Sequence, residues 1–102
     1  MYQGNTPTLT FNIKNNTFDM SNIQLCHITI RNENGVNQTV YTEPTIDVEN
    51  KKISLELTQK DTLKFNEGNL YIQIRLKVND KITCNKNPIV TTMKEIYERE
   101  EI

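Results

Sequence analysis

Apolar and polar residues alternate with period two along most of this chain, and no other feature limits its fold as strongly. Leu9, Phe11 and Ile13 alternate with Thr8, Thr10 and Asn12. Cys26, Ile28 and Ile30 alternate with His27, Thr29 and Arg31, and Ile53, Leu55 and Leu57 with Ser54, Glu56 and Thr58. A strand sends successive side chains to opposite faces, so each run reads as a strand with one buried and one solvated face. The longest run sets Leu70, Ile72, Ile74, Leu76 and Val78 against Tyr71, Gln73, Arg75 and Lys77. At the usual rise it spans about 30 Å, which predicts a central strand.

Turn residues punctuate the runs. Asn15-Asn16, Asp19 and Ser21-Asn22 read as a loop. Asn32-Glu33-Asn34-Gly35 is a hairpin turn, because Asn-Gly readily supplies positive φ, and 36–42 is the returning strand. Pro44 interrupts pairing, so that strand stops there or runs along an edge. A short run follows at 45–48, then a turn at 49–52. Thr58 and Asp61 have the spacing of a helix cap and its third helical residue, which predicts one helical turn near 59–65, crossing between sheets. Asn79-Asp80 is the next turn. Ile82 and Cys84 are expected inward beyond it, with Lys81, Thr83 and Asn85 outward. Asn87-Pro88 breaks the strand, and 89–93 forms a last strand at an edge. Seven or eight short strands at this spacing predict an all-β, immunoglobulin-like antiparallel β-sandwich. One domain covers 1–93 with an N-terminal arm at 1–7, and 94–102 is a charged C-terminal arm or short helix.

Composition agrees. Ala, the best helix former, is absent from the 102 residues, while Thr, Ile and Asn are abundant. Cys26 and Cys84 are too few for a disulfide framework, and two buried free thiols are expected. A single inter-sheet bridge is the alternative, although no Trp lies between them as in immunoglobulin domains.

The chemistry-bearing residues do not assemble into a catalytic pattern. His27 is the lone histidine, on the polar face of its strand, while Cys26 beside it points to the other face. Gly4, Gly35 and Gly68 form no phosphate loop, and no Ser is framed as a nucleophile elbow. Asp61 and Glu67, or Glu98, Glu100 and Glu101, read as solvated charge. No enzyme activity, cofactor or metal is therefore expected. Tyr71, Arg75 and Lys77, with Gln73 among them and Lys81 and Lys86 nearby, could stack a base and neutralise phosphate. With a net charge of -1 the solvated-face reading prevails, and no nucleic acid partner is expected. No apolar run is long enough for a membrane helix. Residues 1–5 lack the basic and apolar regions of a signal peptide.

Association with proteins remains. Open sheet edges invite pairing unless guarded. Both arms carry isolated large apolar residues, so Tyr2, Ile96, Tyr97 and Ile102 are the expected interface residues.

The opening Tyr2-Gln3-Gly4-Asn5-Thr6-Pro7-Thr8-Leu9 continues in Leu57-Thr58-Gln59-Lys60-Asp61-Thr62-Leu63, then Phe65, Gly68 and Ile72-Gln73-Ile74-Arg75. Together these resemble small immunoglobulin-like virion proteins of tailed bacteriophages, and the N-terminal domains of phage baseplate proteins. The likeness runs from Tyr2 to about Val78. It implies a structural virion protein, assembled in the bacterial host cytoplasm and attached to the capsid as a head-fibre or decoration component. Its partners would be capsid, fibre or tail subunits, and with multiple copies per particle a homodimer or higher oligomer would follow, C2 dimers being the commonest homo-oligomers. A tail or baseplate component, or a module binding host surface glycans, is the alternative. The resemblance carries no catalytic residues.

Overall fold

The computed structural model describes residues 1–13, 19–33, 35, 37–85 and 88–96. The strands are β1 (Thr8–Asn12), β2 (Ile23–Asn32), β3 (Gln38–Tyr41), β4 (Thr45–Asp47), β5 (Lys52–Glu56), β6 (Gly68–Val78), β7 (Lys81–Cys84) and β8 (Ile89–Met93). One α-helix, α1 (Gln59–Lys64), and a 3-10 turn at Met20–Asn22 complete the described elements. β1, β5 and β4 form one sheet in that order; β3, β2, β6 and β7 form the other, with β8 also on β6. All strand pairs are antiparallel. The order is that of immunoglobulin strands B, E and D facing C′, C, F and G. The expected all-β sandwich with a helical turn is what the chain forms.

The core lies between the sheets. Ile28, Ile30, Ile53, Leu57, Phe65, Leu70, Ile72 and Met93 are essentially inaccessible. β6 is central: β2 runs along one edge from Leu70 to Val78, while β8 and β7 share the other edge in tandem. Asn85 fills the gap between those two. Its backbone N–H donates to the Ile74 carbonyl at 3.4 Å, and its Oδ1 accepts from the Ile74 N–H at 2.8 Å.

α1 starts where the sequence places it. The Thr58 hydroxyl accepts from the Asp61 N–H at 3.1 Å, and the Asp61 carboxylate accepts from the Thr58 N–H at 2.9 Å, a complete capping box. Buried Asn32 ties the end of β2 to the segment after α1. Its Nδ2 donates to the Asn66 carbonyl at 2.9 Å, and its Oδ1 accepts from the Asn66 N–H at 3.0 Å.

β7 departs from the expected facing. The Asn79-Asp80 turn, with φ of 50° and 65°, pairs Val78 directly with Lys81. Paired residues share a face, so Lys81 and Thr83 lie with Val78 and Leu76, while Ile82 and Cys84 lie outside with Lys77 and Arg75. Ile82 is 59% exposed. Turn geometry has overridden the local apolar pattern. Of the two thiols expected in the core, only Cys26 is buried; Cys84 is exposed, and both are free.

The N-terminal segment also differs from an arm. Gln3 is buried, its Nε2 donating to the Phe65 carbonyl at 2.8 Å and its N–H to the Lys94 carbonyl at 3.0 Å. Lys94 returns a bond from its N–H to the Met1 carbonyl at 2.7 Å, and Tyr2 forms a parallel bridge with Lys94. The chain then turns at Gly4, whose φ is +78°; a Cβ there would lie 3.1 Å from Ile96 Cδ1. The Asn5 carbonyl accepts from the Thr62 hydroxyl at 2.8 Å, and the Pro7 carbonyl from the Leu57 N–H at 2.9 Å. The opening Tyr-x-Gly-Asn-Thr-Pro motif thus stitches β8, α1 and β5 together.

Candidate interaction surface

The outer face of the larger sheet gathers residues from five strands. β2 contributes Leu25, His27, Thr29 and Arg31, and β6 contributes Tyr71, Gln73, Arg75 and Lys77. Register sets the rows. Gln38, Arg31, Tyr71 and Val90 form one row, and Val40, Thr29 and Gln73 the next. His27, Arg75 and Cys84 follow, then Leu25, Lys77 and Ile82. Directly opposed side chains on one face lie about 5 Å apart at Cβ, so each row is a line of contacts.

The charge on this face has one sign. Its strand positions carry Arg31, Arg75 and Lys77 and no carboxylate, although the whole chain has a net charge of -1. The acidic residues are therefore concentrated elsewhere. A shallow concavity of about 710 Å³ lies over the centre, between Arg31, Tyr71, Arg75 and Pro88. Exposed Leu25, Val40, Ile82 and Val90 stand around it. Tyr and Arg at the centre, with no Asp or Glu, is the composition that protein interfaces favour.

The surface offers little reactive chemistry. His27 and Cys84 share a row, but Arg75 stands between them. Two strand spacings separate their backbones by roughly 10 Å, too far for direct proton transfer. Cys26 faces the core, where burial pushes its thiol up to about 11. Tyr41 also faces inward, opposite Ile28. Burial, and then the nearby Asp61 carboxylate, push its phenol well above the usual range. Its buried hydroxyl has no partner at hydrogen-bonding geometry among the described residues. Among the described residues no group of three or more His, Cys, Asp or Glu is placed to hold a metal ion. No described helix is long and apolar enough to cross a membrane.

The residues expected at an interface divide. Tyr2 is 46% exposed, with the Lys94 ammonium 5.5 Å from its ring centre. Ile96 is half-buried beside Gly4. Both belong to the segments joined by the Tyr2–Lys94 bridge beyond β8, and Lys94 continues the outward side of β8 after Val90 and Thr92, so Tyr2 lies at the rim of the larger sheet. Tyr97 and Ile102, like Lys86, lie outside the described residues. The sequence brought Tyr71, Gln73, Arg75 and Lys77 together correctly but missed His27 and Arg31 beside them. Their alternation marks them as outward; the β2–β6 register that joins them to Arg75 and Tyr71 is not written in any local signal. Lys81, expected to extend the patch, is on the opposite face of β7. No protein-family model, curated protein or solved structure matches this chain.

Proposed function

We propose that this chain is a structural protein that works by contact and not by catalysis, using the outer face of its larger sheet to dock on another protein. The observation that carries the reading is the union of Arg31, Tyr71 and Arg75 on a carboxylate-free face bordered by exposed Val40, Val90, Leu25 and Ile82. Arg and Tyr supply much of the binding energy at protein interfaces, and a one-signed face favours a partner surface of opposite sign. Following the resemblance of the opening motif and the 57–75 segment, the proposed setting is the virion of a tailed phage. There the domain attaches to the capsid as a head-fibre or decoration component, with other virion proteins as its partners.

Two measurements test this. Mass spectrometry of purified particles is expected to find the chain in stoichiometric amounts; presence in infected cells but absence from particles would sink the virion setting. Arg31→Glu with Arg75→Glu is expected to abolish incorporation into particles while leaving the circular dichroism spectrum unchanged. Undiminished incorporation of that folded variant would remove the face from the proposal.

A further inference from the structure

The smaller sheet ends in an edge unlike the others. Five strands lie at a sheet edge among the described residues, and the outer edge of β8 is partly taken by the N-terminal segment, where the Met1 ammonium donates to the Thr92 carbonyl at 3.0 Å and the Met1 carbonyl accepts from the Lys94 N–H at 2.7 Å. β3 is four residues long and runs on to Glu43-Pro44. β4 is three residues, confined between Pro44 and the turn that begins after Asp47. β7 is four residues and begins with Lys81. β1, at five residues, is the longest of the other four; Pro7 precedes it, but Thr8-Leu9-Thr10-Phe11-Asn12 itself contains no charge, Pro or bulge. Short strands, charges and prolines are how folds discourage edge pairing, and β1 has none of them within its length.

The ladder fixes which groups it offers. The Leu57 N–H donates to the Pro7 carbonyl and the Ile13 N–H to the Lys51 carbonyl, so the odd-numbered residues bond to β5. Thr8, Thr10 and Asn12 therefore direct their N–H and C=O groups away from the sheet. Leu9 and Phe11 point to the core, yet Leu9 at the edge is only half-buried.

This edge is complementary to itself. An antiparallel copy centred on Thr10 sets Thr10 against Thr10 and Thr8 against Asn12 at either side. In each of these pairs both residues have outward-directed backbone groups, so each exchanges two hydrogen bonds. The same register sets Leu9 opposite Phe11 of the second copy, on the core side. On the solvent side it aligns threonines, which pair well across strands. Charge agrees: Asn12 is in row with Lys52 and Thr8 with Glu56, so a row beginning at Lys52 ends at Glu56 of the second copy.

We propose that β1 pairs with β1 of a second copy about a two-fold axis at Thr10, joining the two smaller sheets into one. The seam lies on the sheet opposite the cationic face and leaves that face free on both copies, so it stands independently of the docking proposal. A seam this small holds weakly by itself, below the area of a standard interface.

Sedimentation over a concentration series tests the seam. The intact chain is expected to approach twice its 11.9 kDa mass as concentration rises into the millimolar range. Thr10→Lys sets two like charges face to face without altering the backbone. It is expected to weaken dimerisation by about tenfold or more. Thr10→Pro removes an N–H that no strand of the same copy uses, and is expected to be monomeric with an unchanged circular dichroism spectrum. Arg31→Glu with Arg75→Glu is expected to dimerise like the parent. A parent that stays monomeric throughout, or a Thr10→Lys variant that dimerises equally well, would overturn the proposal. If Thr10→Pro fails to fold, the Thr10→Lys result decides.

Discussion

Along β6 the inward side chains are Leu70, Ile72, Ile74, Leu76 and Val78, and the outward ones are Tyr71, Gln73, Arg75 and Lys77. One backbone thus serves two surfaces of opposite character. The inward row is closed by the smaller sheet and supplies burial, at roughly 25 cal/mol for each Å² of apolar surface removed from water. Nothing among the described residues covers the outward row. Its cations share a face with exposed Leu25, Val40, Ile82 and Val90 and have no carboxylate on the neighbouring strands. Stability rests on one set of alternate residues of this strand and the proposed docking on the other, so a change to one surface need not disturb the other.

The largest effect should come from the inward row. Ile74→Ala is expected to cost about 2–5 kcal/mol in denaturant unfolding, through lost burial and the cavity left behind. Gln73→Ala, one residue away, is expected to stay within about 0.5 kcal/mol. Equal costs would mean that the two faces are not distinct.

Asn32 sharpens the contrast, because it is the polar member of the inward row Cys26, Ile28, Ile30 and Asn32. Asn32→Ala leaves the Asn66 N–H and carbonyl without their side-chain partners, so it is expected to cost about 1–3 kcal/mol. A cost near zero in the same unfolding assay would show that the crossover after α1 is held by other contacts.

Local signals were legible and long-range ones were not. The Thr58–Asp61 capping box could be read because both partners lie within one helical turn. The Asn79-Asp80 turn could also be read, but its consequence needed the pairing of Val78 with Lys81, which carries Ile82 and Cys84 outward. Alternation found both rows of β6. It could not show that His27 lies opposite Arg75 and Arg31 opposite Tyr71, because register is settled by the whole sheet. Residues 1–7 read as a free arm in sequence because the partners of Gln3, Phe65 and Lys94, lie far along the chain.

A smaller effect is expected in alkali. The Cys26 thiol is raised from an ordinary value of 9.0 to about 11 by burial. The folded state therefore keeps the neutral thiol while the unfolded chain ionises. The contribution is fully present below pH 9 and is lost as pH rises towards about 11. Tyr41 acts in the same direction, since burial and Asp61 hold its phenol neutral above the ordinary range. Cys26→Val with Tyr41→Phe is thus expected to flatten the alkaline fall in melting temperature. An unchanged fall would place these groups in water.

The smallest effect on stability, and the most direct reading of the β7 register, concerns the second thiol. Cys84→Ser is expected to change unfolding by no more than about 0.5 kcal/mol, since the side chain is exposed opposite Arg75. Cys26→Ser should cost more, because it buries a hydroxyl where the thiol packed. The two sulfurs should also differ towards a thiol reagent under native conditions. Cys84 is expected to label at the rate of an accessible thiol, and Cys26 only as the domain opens. If both labelled slowly and Cys84→Ser were costly, Ile82 and Cys84 would face the core, as their alternation with lysine and threonine first suggests. The two-residue turn would then have lost to the apolar pattern. The pairing of Val78 with Lys81 requires the opposite, one fast thiol and one protected thiol on opposite faces of a single sheet.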